Sequence, residues 1–208
     1  MEAKSPIKGL GKMIRAKRSI LDAKGNYKGE EDVEPTQVLI DMAGKSIEEA
    51  EKVMANADIE HAALYIDGKQ VMLKTSSDPS FVDFNAKETK AMKGGTFIHN
   101  HPPGEDGTPI PFSRGDVSML LNNKLSTFRA VSGNTVFEMS PPKDSKFWKT
   151  KPAALKKALN STFEQFKAAY GYDPGETVTT RDLARILDDT LKTIDQKMSI
   201  GYKKSIIQ

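Results

Sequence analysis

The chain predicts an α/β domain in which a mixed, mostly antiparallel sheet is flanked by helices, with a C-terminal helical pair beyond it. Three observations carry this. Apolar residues recur at helical spacing from Ile47 to Ala57 and again from Leu155 to Met198. Two pairs of short apolar runs flank the turn sequences Asp67-Gly68 and Ser132-Gly133-Asn134. A single run, Thr96-Phe97-Ile98-His99-Asn100, stands between Gly94-Gly95 and a proline-rich stretch.

Taken in order, residues 1–36 lack periodicity, contain Gly9, Gly11, Gly25 and Gly29, and close on Glu30-Glu31-Asp32 before Pro35; they read as a basic tail or linker. Residues 37–142 form the main unit. Ser46 and Glu49 are spaced as a capping box for a helix along Ile47, Ala50, Val53, Met54 and Ala57. Ala62–Ile66 and Gln70–Lys74 flank Asp67-Gly68, a pair suited to a tight hairpin. A helix over Asn85–Met92 stops at Gly94-Gly95, and Thr96–Asn100 follows as a buried strand. The four prolines and two glycines of residues 102–112 make a loop. Asp116–Asn122 is a helix, Phe128–Val131 and Thr135–Met139 are strands, and Pro141-Pro142 ends the unit. Residues 143–208 hold two amphipathic helices after Pro152, joined by Gly171-Tyr172-Asp173-Pro174-Gly175, which pack on or extend the domain.

At 208 residues one ordinary domain with appendages is the expectation. With 38% hydrophobic residues and a mean hydropathy of −0.51, no run approaches the roughly 20 apolar residues that span a bilayer. The N-terminus has no apolar core of the secretory kind, so a cytoplasmic location, in a bacterial or phage-infected cell, is expected. The absence of cysteine removes disulfides, thiolate metal sites and cysteine nucleophiles, leaving nitrogen and oxygen to hold any transition metal. A net charge of +3 does not by itself imply nucleic acid, and the lysines and arginines before residue 28 read first as a solvated tail.

Two of the three histidines stand in His99-Asn100-His101. In an extended chain residues two apart share a side, so both imidazoles can face one ion while Ile98 and Asn100 point away. Asp116, in the first turn of the next helix, would add a carboxylate, giving two imidazoles, one carboxylate and an open position. Read alone, Ser113-Arg114-Gly115-Asp116 is equally a capping box that only starts a helix. His61 reads as a surface or packing residue.

Together, His99-Asn100-His101-Pro102 and Ser113-Arg114-Gly115-Asp116 resemble the motif of the JAMM/MPN (JAB-like) metallopeptidases. The phrase Ile98 to Gly104 is similar to their RadC-like and phage- or toxin-associated branches. Glu60-His61-Ala62-Ala63-Leu64-Tyr65-Ile66-Asp67 resembles the segment that carries the family's upstream glutamate. The likeness spans about residues 46–140, with a longer spacer, residues 102–112, than the family usually has. It implies a cytidine-deaminase-like sheet and a Zn2+ held by His99, His101 and Asp116, activating water for hydrolysis of a protein amide bond. Glu60 would be general base and then acid, and Ser113 an oxyanion donor. Glu88 is the substitute if Glu60 is not the glutamate.

The resemblance makes the substrate a protein or peptide, with ubiquitin-like conjugates among the isopeptide substrates in view. Two other readings compete. One is a non-catalytic module of the same fold that docks on an assembly, such as a phage particle, through the C-terminal helices. The other is a RadC-like nucleic-acid-associated protein using the basic tail.

Overall fold

The computed structural model describes residues 17–21, 27–32, 36–75, 82 and 84–207. It is an α/β structure built on a six-stranded mixed sheet with helices on both faces. The central strands are β3 (His61–Ile66), β4 (Lys69–Thr75), β5 (Thr96–Asn100), β6 (Thr127–Ser132) and β7 (Thr135–Met139), and β8 (Lys203–Ile206) adds an edge. Their order is β4-β3-β5-β6-β7-β8. Only β5 and β6 run parallel; the other neighbours are antiparallel. Both residues of the Asp67-Gly68 turn have positive φ, 49° and 74°, the geometry that joins two twisted strands without splaying them.

Strand alternation divides the buried residues between two faces. On one face Ala62, Leu64, Phe97, Phe128, Ala130, Phe137 and Met139 pack in a single core with the helices α4 (Arg114–Asn123), α5 (Ser145–Ala169) and α6 (Thr180–Met198). On the other, Ala63, Tyr65, Leu73, Ile98, Val131 and Val136 pack under α1 (Gln37–Met42) and α2 (Ile47–Met54). The short α3 (Ala86–Ala91) is capped by Asn85 and leads to Gly95 at the start of β5.

Several elements differ from the sequence expectation. Helix α1, absent from the periodicity reading, is six residues long; it is capped by Thr36 and held by the buried Leu39 and Met42. Within the stretch expected to be an irregular tail, β1 (Lys17–Leu21) and β2 (Tyr27–Asp32) pair antiparallel. The register sets Lys17 opposite Asp32 and Arg18 opposite Glu31, a charge pattern that a search for apolar alternation passes over. Helix α5 runs through Pro152 instead of starting after it. An interior proline costs about 3 kcal/mol, but Phe147 before it and Leu155 after it are both buried in the same core. Strand β8 has four exposed residues and is held by its pairing with β7 and by the contacts of Lys203 with Glu138 and Lys204 with the Phe137 ring. The C-terminal segment is therefore continuous with the central sheet and its core.

The loop 102–112 is anchored at several points. Gly104 N donates to the Thr108 carbonyl at 3.0 Å, Ile110 N to Ser132 Oγ at 2.9 Å, and Phe112 is fully buried. Arg181 at the start of α6 pairs with Asp106 at 2.8 Å. A Cβ on Gly104 would stand 2.8 Å from Thr180 Cγ2, so glycine is what lets the loop lie against α6.

Candidate metal centre

Strand β5 ends by presenting His99 to the α4–α6 side of the sheet, in ring contact with Phe128 at 4.8 Å between centroids. One residue past the strand, His101 is kept extended by its backbone N–H, which donates to the Val131 carbonyl at 2.8 Å. His99 Nδ1 lies 3.1 Å from the Arg129 carbonyl and His101 Nδ1 3.2 Å from the Ile110 carbonyl. A carbonyl only accepts, so both rings carry a proton on Nδ1 and a neutral ring turns a bare Nε2 inward. The two Nε2 atoms are 2.8 Å apart. Two lone pairs cannot face each other at that distance unless a proton or a cation is shared between them.

Asp116 brings the negative charge. Its Oδ1 is 3.4 Å from His99 Nε2 and its Oδ2 3.4 Å from His101 Nε2. Burial opposes the charge on His101, but the Asp116 carboxylate, its hydrogen bond and Glu60 outweigh it and push the imidazole up to about 9. Burial likewise opposes the charge on Asp116, yet the two imidazoles hold its carboxyl well below the usual range. Glu60 completes the group: it is buried, its Oε1 lies 3.9 Å from His99 Nε2, and Glu60, His99 and His101 offer ligand atoms all within 4.8 Å of one another. Two imidazoles and two carboxylates, with no cysteine, form a nitrogen and oxygen donor set that could hold a divalent metal ion. The Nδ1-to-carbonyl bonds are the outer contacts that ordinarily orient metal-binding histidines.

Ser113 is the N-cap of α4 and forms a reciprocal box with Asp116. Asp116 N donates to Ser113 Oγ at 3.1 Å, while Ser113 Oγ and N both donate to Asp116 Oδ2 at 2.7 Å. The capping account of these residues and their convergence on the histidines are thus one arrangement. The box fixes the carboxylate that faces the rings.

Glu60 is held through its neighbours. Asn100 Oδ1 accepts from His61 N at 2.7 Å and Asn100 Nδ2 donates to the Ile59 carbonyl at 3.0 Å, so one amide side chain grips the backbone on both sides of Glu60. Thr75 Oγ1 donates to the Glu60 carbonyl at 2.8 Å. His61 faces away from the cluster, its Nε2 2.8 Å from Thr36 Oγ1 and its Nδ1 2.9 Å from the Ile59 carbonyl. Glu88 lies elsewhere, paired with Lys74 at 2.8 Å and closing the cap of α3. Strand alternation points Asn100 away from the metal position, and its grip on residues 59–61 is legible only once β3 and β5 are known to be neighbours.

The cluster opens into a cavity of about 610 Å3 lined by both the donor residues and apolar side chains. No helix among the described residues is long and apolar enough to cross a membrane. Comparisons of the chain with protein-family models, with curated proteins and with solved structures found no match.

Proposed function

We propose that this chain is a zinc-dependent peptidase or isopeptidase of the JAMM/MPN kind, hydrolysing a protein amide bond in the cavity beside His99 and His101. The observation that carries this reading is the facing of two imidazole Nε2 atoms, 2.8 Å apart with both Nδ1 atoms committed to carbonyls, beside the Asp116 and Glu60 carboxylates. His99, His101 and Asp116 would hold the ion, which when bound supplies Lewis acidity to a carbonyl and to water. Glu60 takes a proton from the attacking water as its oxygen bonds to the carbonyl carbon, and returns it to the amide nitrogen as the C–N bond breaks. The products are a carboxylate and an amine. Ser113 Oγ would stabilise the developing oxyanion by turning its hydrogen from Asp116 towards the substrate.

The test is elemental analysis of tag-free protein beside hydrolysis of a peptide mixture. One zinc per chain is expected in the wild type and none in folded His99→Ala or His101→Ala. Glu60→Ala should keep the zinc and lose about 10²- to 10⁴-fold in turnover. A wild-type chain that takes up no metal after zinc is added back overturns the proposal.

A further inference from the structure

The cavity is lined by the donor residues Glu60, His99, His101 and Asp116 and by apolar side chains, among them Val82, Phe84, Phe97, Ile110, Met119 and Phe128. The aromatic part of this lining is built on the sheet. Phe97 and Phe128 are register partners in the parallel pair β5–β6, and both face the side that His99 faces. Their rings meet at 5.2 Å, Phe84 stands edge-on to Phe97 at 5.4 Å, and Phe128 continues to the His99 ring at 4.8 Å. Phe97 and Phe128 are almost wholly buried, so packing holds their rings and the lining stands ready before any ligand arrives.

This arrangement restricts what lies beside the reacting carbonyl. A substrate carbonyl at the donor cluster has its neighbouring side chain within reach of the apolar lining, because Phe128 touches the His99 ring itself. A glycine there would leave an apolar recess of this size to poorly bonded water. A large apolar side chain would displace that water and bury its own surface. We propose that the substrate carries a bulky apolar side chain, aromatic or long aliphatic, on the residue adjoining the scissile amide, received by the half-buried Val82, Phe84, Ile110 and Met119, with the buried Phe97 and Phe128 rings packed behind them. The inference rests on the metallopeptidase reading and narrows it, since it disfavours an acceptor cut only for tails of small residues.

The experiment uses the zinc-loaded full chain and two metal-seeking probes, N-acetyl-phenylalanine hydroxamate and N-acetyl-glycine hydroxamate, titrated by calorimetry. The phenylalanine compound should bind about ten- to a hundredfold more tightly. Met119→Trp places an indole in the recess from α4, and should bring the phenylalanine compound to the level of the glycine compound at unchanged zinc content. Equal affinity of the two compounds for wild-type protein overturns the inference while leaving the metal centre standing. The wild-type comparison decides this even where Met119→Trp does not fold. Failure of the chain to bind zinc, or of the zinc-loaded chain to bind either compound, removes the metallopeptidase reading and the inference with it.

Discussion

The two faces of the sheet both bury charge and treat it in opposite ways. Beneath α2, Arg129 bonds Glu51 through Nε and Nη2 and Glu138 through Nη1, and Glu138 also meets Lys203 at 3.0 Å and Ser140 at 2.8 Å. Each charge there has an opposite charge against it. On the α4–α6 face, the Nε2 atoms of His99 and His101 turn towards one another beside the Asp116 and Glu60 carboxylates, at the edge of a cavity. A closed network is what structural ionic groups look like. Convergent acceptors beside open space are what a binding site looks like.

The two faces are independent if the closed network carries stability alone and the open one carries the metal alone. Arg129→Met strands the buried Glu51 and removes a partner of Glu138, and should lower unfolding stability by about 3 kcal/mol in a urea titration. Zinc content should survive, because His99 leans on the backbone carbonyl of residue 129 and not on its side chain. Loss of zinc in a folded Arg129→Met protein would show the two faces to be coupled.

A smaller effect is expected at Asn100. Asn100→Ala releases the peptide groups on either side of Glu60 while leaving His99, His101 and Asp116 in place. Turnover should fall about 10- to 100-fold with zinc stoichiometry and KM retained. A parallel loss of zinc would assign Asn100 to general structure instead of to the placement of Glu60.

The smallest effect is a pH dependence at His61. Burial holds this imidazole below its usual 6.5, against the opposing bond to the Ile59 carbonyl. The unfolded chain therefore takes up the proton first, and stability falls as pH drops from about 6.5 towards the lower folded-state value. Replacing His61 by Gln should reduce the loss of unfolding free energy between pH 7.5 and 5.5. An identical loss in the variant would show that the ring does not contribute.

What could be read from the sequence depended on whether an element is fixed locally. The strands Thr96–Asn100 and Thr135–Met139 have the expected bounds, because glycines or a tight turn delimit one end and apolar content the body. Helix α2 begins where the Ser46–Glu49 box places it. By contrast α1, the passage of α5 through Pro152, and β8 depend on tertiary burial or strand pairing that no window of sequence contains. At the candidate site, the side on which His99, Asn100 and His61 stand followed from strand alternation. The Ile110 carbonyl behind His101, the two-point grip of Asn100 and the phenylalanine lining needed the order of strands.

Strand β8 reaches β7 only after the whole of α5 and α6 has passed between them. As the polypeptide leaves the ribosome, β7 therefore waits with a bare edge, and the side bearing His99 waits without Leu155, Leu159, Leu191 and Ile194 to cover it. A nascent chain halted before α6 would display unpaired strand and open core together, the combination that invites chaperone capture or aggregation. The last helix and strand thus cover the core and the sheet edge that every earlier part of the chain leaves open.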